Sequence, residues 1–276
     1  MRKDIEFGIN IGYVAASVGF EPAIDMVADA GFTLLDYSPS IHRDDWEEIM
    51  NRDLPRFEKR GLRVHQTHCP FFRYVPFDEK QNLMRERIYE ATVKMGAEYM
   101  VVHGDEFNIA LQEYTPERAF QYNYDMFAPY VEKAEKDGIK IAFETVFADS
   151  VKTMERYGSR FEELEILVFA FKSDAAVCCW DFGHANVSFK KEHADRIRQM
   201  KGKVACTHVH DNNSHHDDHL LPFQGNIDWK ACVDALNETG YNGHFVYELV
   251  YGKIPPERMP EYLNYLINTG KYICNL

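Results

Sequence analysis

The sequence predicts an α/β fold, a single (β/α)8 barrel over residues 1–276, on three observations. Short apolar runs recur at 63–68, 99–103, 140–144, 176–181, 204–210 and 243–248, and each stops at a metal-ligand type of residue: His68, His103, Glu144, Asp181, His210 and Glu248. Strands buried on both faces read as continuous apolar runs, as in a parallel sheet. Between 29 and 41 residues separate successive run ends, room for one strand, one loop and one helix. The length of 276 residues suits one α/β barrel, and a 45% hydrophobic composition with 19 Phe and 16 Tyr supplies a large core.

The elements follow in order. Residues 6–10 form a first strand. An amphipathic helix over 22–30 ends at Gly31, and 31–36 is the second strand. A helix at 45–59 leads to the strand at 63–68. A helix at 81–95 stops at Gly96 before the strand at 99–103. The helix at 115–136 opens Thr115-Pro116-Glu117, a cap followed by proline at the first helical position, and stops at Gly138. Helices at 160–171, 192–200 and 229–239 separate the remaining strands, and 257–267 closes the chain. Strand and helix alternate with no hairpin-length connection, which favours a closed barrel over an open sheet. In a barrel the C-terminal strand ends converge on one mouth, where catalytic groups sit.

Composition excludes several classes. The net charge of −13 argues against a polyanion partner, so nucleic acid is not expected. No run approaches a membrane span, and the N-terminus enters a strand without a signal-type apolar region. The six cysteines show no CxxC spacing, and reduced thiols in a cytoplasmic protein are expected. GxGxxG and P-loop patterns are absent. A homo-oligomer is compatible with all of this.

Glu144, Asp181, His210 and Glu248 make one imidazole and three carboxylates on successive strand ends. They would repel one another without a cation, and N/O ligation suits Mn, Mg, Co or Zn. His184, in Asp181-Phe-Gly-His184, fits metal ligation and substrate contact equally. His68 and His103, on adjacent strands, fit a second metal or the substrate. The patch from His210 to His219, containing Asp217, leads through a loop to Trp229 and belongs by position to the mouth. Cys69 is discounted because its side chain should point away. His42, His65, His193, His215, His216 and His244 are read as structural or solvent-facing. His208 is set aside, on the expectation that it shares a face with His210 only if the strand has already ended. Tyr13, Trp46, Phe71 and Tyr74 follow the first three strands and are placed to wall a pocket.

Glu144, Asp181-x-x-His184, His208-Val-His210-Asp211, Asp217-x-His219, the segment from Gly225 to Trp229, and Glu248 resemble the xylose isomerase-like TIM-barrel superfamily. Within it they look like the sugar phosphate isomerase/epimerase group. The resemblance spans nearly the whole chain and is most specific in its second half. It implies one divalent ion on Glu144, Asp181, His210 and Glu248, with His184 on the sugar. The implied reaction is proton transfer by Glu144 and Glu248 through a metal-stabilised enediolate of a small sugar or sugar phosphate. Apart from the resemblance, the position of Lys253 after the eighth strand makes it the expected contact if the substrate carries a phosphate. The ketose 3-epimerases carry a substrate-binding Glu six residues after the first metal Glu; here that position is Ser150. Endonuclease IV is a more distant relative with three zinc ions. Its nine ligand types match His68, His103, Glu144, Asp181, His184, His210, Asp217, His219 and Glu248, so a di- or trinuclear zinc phosphoesterase is the alternative.

Overall fold

A computed structural model describes residues 5–148, 153–251 and 254–276. Its elements run in chain order as β1 (Phe7–Asn10), α1 (Ile11–Val18), α2 (Phe20–Asp29), β2 (Leu34–Asp36), α3 (Trp46–Lys59), β3 (Arg63–His68), α4 (Glu79–Lys94) and β4 (Tyr99–Val102). Then come β5 (Glu106–Asn108), α5 (Pro116–Asp137), β6 (Lys140–Glu144), β7 (Met154–Arg156), α6 (Phe161–Ala170) and β8 (Ala176–Asp181). The chain continues through α7 (Phe182–Phe189), α8 (His193–Gln199), β9 (Val204–His208), α9 (Trp229–Glu238), β10 (Phe245–Tyr247) and α10 (Met259–Ile273). Ser150 and Lys253 lie outside the described residues.

Eight strands pair in parallel in the order β10-β1-β2-β3-β4-β6-β8-β9. The seam between β9 and β10 is closed by a parallel bridge, Val209 to Tyr247. There Val209 N–H donates to Val246 O at 2.8 Å, and Glu248 N–H donates to Val209 O at 3.3 Å. The expected barrel is therefore present and nearly closed. Its interior below the mouth is filled by a small cluster of Tyr99, Val101, Ala142, Val177, Cys179 and Cys206. The larger apolar core lies between strands and helices, around Trp180, Phe143, Phe127 and Trp229.

The expected helices are present with ends moved by a residue or two, except that α10 runs on to Ile273. Thr115 caps α5 by accepting from Arg118 N–H, and Gly138 ends it in the left-handed conformation at φ 75°. Two mouth helices were not expected. In α1, Asn10 at the end of β1 accepts from the N–H groups of Gly12 and Tyr13. In α7, Asp181 at the end of β8 accepts from His184 N–H at 2.7 Å. Both are short helices nucleated by a strand-end cap. The antiparallel pair β5–β7 was also unexpected; it joins the loops after β4 and β6 beside the mouth.

Two register shifts matter for the site. Along β3, Leu35 pairs Val64 but Asp36 pairs Gln66. Along β9, Cys178 pairs Val204 but Cys179 pairs Cys206. Each inserts one extra residue, His65 or Ala205, and reverses the alternation beyond it. Val64 and Val204 lie in the outer core, so an unbroken alternation would also send His68, His208 and His210 outward. The bulges turn them into the barrel.

Candidate functional site

The ligand-type side chains at the mouth fall into three groups, in each of which the ligand atoms lie within 4.8 Å of one another. The central group is Glu144, Asp181, His208 and Glu248, all buried. His208 Nδ1 lies 3.3 Å from Glu144 Oε1, 3.5 Å from Glu248 Oε2 and 3.7 Å from Asp181 Oδ2. A second group comprises His184, His210, Asp217 and His219. Asp217 Oδ2 lies 3.0 Å from His219 Nε2 and 3.3 Å from His184 Nε2, and the His210 and His219 rings stack at 4.0 Å. The third is His68, Glu144 and His208. Beside it His103 Nε2 approaches Glu144 Oε2 at 2.7 Å, and His68 Nε2 approaches the same oxygen at 3.2 Å.

The structure differs from the expected grouping at one position. His208, not His210, is the imidazole among the three carboxylates. His210 Nε2 instead contacts Asp181 Oδ1 at 2.9 Å and faces Asp217. Contrary to the expectation for His208, residues two apart on a strand share a face, and both rings point inward. Glu144, Asp181 and Glu248 are brought together as expected, as are His68 and His103 beside Glu144, and His184, Asp217 and His219 beside one another.

Carboxylates and imidazoles at the mouth shift one another in opposite directions. Against its burial, the neighbouring His208 and His103 hold the Glu144 carboxyl well below the usual range. Asp217 is likewise held low, against burial, by His184 and His219. His184 and His208 are pushed well above the ordinary histidine value, and His219 up to about 9, by carboxylates that outweigh desolvation. His103 goes the other way, down to about 3, because burial dominates.

The donor set suits a divalent ion. Glu144 Oε1, His103 Nδ1, His208 Nδ1, His210 Nδ1 and Asp217 Oδ1 are buried without a hydrogen bond, an arrangement that is costly unless a further partner is bound. Oxygen and imidazole ligands match Mg, Mn, Co or Zn rather than a soft ion.

Above the groups opens a cleft of about 900 Å³, bordered by Tyr13, Tyr37, Phe71, Phe147, Arg156 and Asp53 among others. Tyr13 and Phe71 stand where expected. Trp46 and Tyr74 do not: Trp46 is buried beneath the Lys94 ammonium, and Tyr74 stacks on Phe107. Phe71 lies between His103, 3.7 Å away by ring centres, and the Arg156 guanidinium. Arg156 comes from the unexpected β7, so no strand-end signal marked it.

The loop after β9 is built around Asp211. Its carboxylate accepts from the N–H groups of Asn212, Phe223 and Ile227 and from Trp229 Nε1. This holds the segment that carries Asp217 and His219 to the mouth, while His215, His216 and Asp218 face solvent. Gly183 permits the close approach of His210: a Cβ there would sit 1.9 Å from His210 Cε1. Of the histidines read as non-functional, His193 accepts from Trp180 Nε1, His65 packs against Tyr99 and His244 at the far end of the barrel, and His42 is exposed. Cys69 is buried in the outer core, and all six cysteines are free thiols. No single helix among the described residues is long and apolar enough to cross a membrane.

A family model described as xylose isomerase-like TIM barrel matches residues 24–269. An uncharacterised protein, y4fM, of Sinorhizobium fredii is 26% identical over 270 residues, covering 83% of this chain and 81% of its own. A solved D-tagatose 3-epimerase-like protein superposes with a TM-score of 0.78 at 21% identity, covering 98% of each chain. The IOLI protein, solved with a binding zinc atom, superposes with a TM-score of 0.73 at 19% identity, over 98% of this chain and 96% of its own.

Proposed function

The chain belongs to the xylose isomerase-like TIM-barrel family, and from that premise we propose that it is a divalent-metal-dependent isomerase or epimerase of a small sugar or sugar phosphate. The observation that carries the reading is the central group: Glu144, Asp181, His208 and Glu248 converge at the mouth of the barrel, and Glu144 and Glu248 line the cleft that opens above it. These four would hold the ion. When bound, a divalent ion supplies Lewis-acid stabilisation of the negative charge that develops as a proton leaves carbon.

The remaining chemistry belongs to the side chains. Glu144 and Glu248 approach His208 Nδ1 as two separate carboxylates. One takes the proton α to the substrate carbonyl, and the other returns a proton to the carbon skeleton as the enediolate collapses. His184 and His219 border the cleft with their ring nitrogens held by Asp217 and by the carbonyls of Thr145 and Glu248, which fixes both rings beside the substrate. Tyr13 and Phe71 border the substrate and exclude water. Similarity to a D-tagatose 3-epimerase-like structure supports a ketose as substrate class. The free thiols support a cytoplasmic setting.

Solvent deuterium incorporation into a bound ketose tests the mechanism. Glu144→Gln and Glu248→Gln should each abolish it in the metal-loaded enzyme; exchange persisting in both variants would overturn the two-carboxylate reading.

One observation favours a second reading, hydrolysis at a multinuclear zinc site: of the two outer groups, one shares Glu144 and His208 with the central group and the other touches its Asp181 through His210. His68 and His103 would then hold one ion with Glu144, and His184, Asp217 and His219 another. Metal analysis of the purified protein separates the two. About one ion per chain with ketose turnover supports the isomerase; about three zinc ions with phosphodiester cleavage and no ketose turnover replaces it.

A further inference from the structure

Asp36 ends β2, a strand whose end carries no residue of the three groups. It is 1% exposed, and Oδ2 lies 3.3 Å from His208 Nε2. Gln66 Nε2 donates to the same oxygen at 3.3 Å, and Gln66 is opposite Asp36 only because of the register shift along β3. The other ring nitrogen of His208, Nδ1, is the one that faces Glu144, Glu248 and Asp181. His208 is thus sandwiched: a carboxylate behind it and three in front.

We propose that Asp36 is a positioning residue for the metal centre, holding the proton of His208 on Nε2 and so leaving the Nδ1 lone pair directed at the ion. This rests on the metal reading above. A neutral imidazole binds metal through one nitrogen, and a carboxylate at the other fixes both tautomer and ring orientation. Gln66 fixes the carboxylate in turn, so the aim of His208 is set by two neighbouring strands rather than by β9 alone. Asp36 also distinguishes the two rings: its carboxylate stands 3.3 Å behind His208 Nε2, whereas among the described residues none stands behind His210 Nδ1.

Mn²⁺ alone, titrated calorimetrically into the full chain, tests the inference. Asp36→Ala should weaken the tightest site by about 10- to 100-fold. Asp36→Asn, whose amide oxygen still accepts from Nε2–H, should recover most of that loss. In the zinc-loaded wild type, the long-range proton–nitrogen spectrum of His208 should show the Nε2–H tautomer. A proton on Nδ1 would overturn the proposal without recourse to any variant, and so would unchanged Mn²⁺ affinity in folded Asp36→Ala. Wild-type protein that binds neither ion would refute the metal reading itself, a result distinct from both.

Discussion

Asp211 offers the sharpest test of how the site is built. One buried carboxylate takes four donors: Asn212 N–H at 2.9 Å, Phe223 N–H at 2.9 Å, Ile227 N–H at 3.3 Å and Trp229 Nε1–H at 3.1 Å. Asn212 and Ile227 share Oδ1, and Phe223 and Trp229 share Oδ2. In Asp211→Asn one oxygen becomes an NH2 group, so two of the four donors lose an acceptor and face another donor. Hydrogen bonds to a charged group are worth about 1.5–3 kcal/mol each. Allowing for relaxation, we expect a loss of about 3 kcal/mol. Asp211→Ala strips all four donors; a water in the vacated space would satisfy only some, and the cost should reach at least about 4 kcal/mol.

The loss should be local before it is global, because the bonds pin a loop that has no helix or strand of its own between Leu220 and Trp229. Hydrogen exchange is therefore the assay. In both variants the amides of Phe223 and Ile227 should exchange faster, relative to barrel-strand amides such as Val101, while denaturant unfolding reports the total. Asp217 and His219 ride on the same segment, so substrate turnover should fall with loop protection. If Phe223 and Ile227 stay as protected in Asp211→Ala as in the wild type, and stability changes by less than about 0.5 kcal/mol, then the carboxylate does not organise the loop and the argument fails.

Two further perturbations follow from the same geometry. His193 is held down to about 3 by burial and stays neutral while accepting from Trp180 Nε1. The unfolded chain takes a proton on it below its ordinary value of 6.5, so stability falls as pH drops from 6.5 towards 3, by at most roughly 4 kcal/mol from this group; His193→Gln should flatten that limb in pH-dependent denaturation, and an unchanged slope would count against it. Gly183→Ala places a methyl group 1.9 Å from His210 Cε1. Overpacking should cost about 1–3 kcal/mol and, by displacing His210 from Asp181, lower kcat/KM by about 100-fold; wild-type kinetics in this variant would show that the His210 ring is not held in place by that contact.

Periodicity made the barrel legible because strands buried on both faces have no polar alternation to confuse with anything else. The interval between run ends then fixed one helix per strand. What escaped was everything set by a local break in that pattern. The helices α1 and α7 are one- or two-turn elements started by Asn10 and Asp181, whose side chains were read only for chemistry. The ribbon β5–β7 pairs two loops far apart in sequence, a contact that no local signal encodes. His208 was not legible because its direction depends on the register shift along β9. Alternation alone would have sent it outward with His210, since only the bulge at Ala205 turns both rings to the mouth. Asp36 escaped because its strand is three residues long and its role depends on the position of His208.

The arrangement places the decision between one ion and several on Glu144. Its Oε2 faces His103 and His68, while its Oε1 faces His184 and His208. A carboxylate with both oxygens engaged by imidazoles on opposite sides is able to bridge two ions. It is equally able to give one oxygen to a single ion and accept ring protons with the other. Burial separates the two on physical grounds. His103 is driven down to about 3, so it sits neutral beside Glu144 with a lone pair available on one nitrogen, whereas His184 and His208 are held protonated by carboxylates until a cation displaces the proton. A neutral ring binds metal without first losing a proton, so His103 imposes no pH penalty on an ion beside His68. A second ion there should therefore bind with weaker pH dependence than the first. Zinc titrations at two pH values would show the central affinity rising steeply with pH and the outer one rising less, because there only His68, whose proton Glu144 holds against burial, must deprotonate; equal slopes would mean that His103 does not ligate, and that Glu144 serves one ion alone.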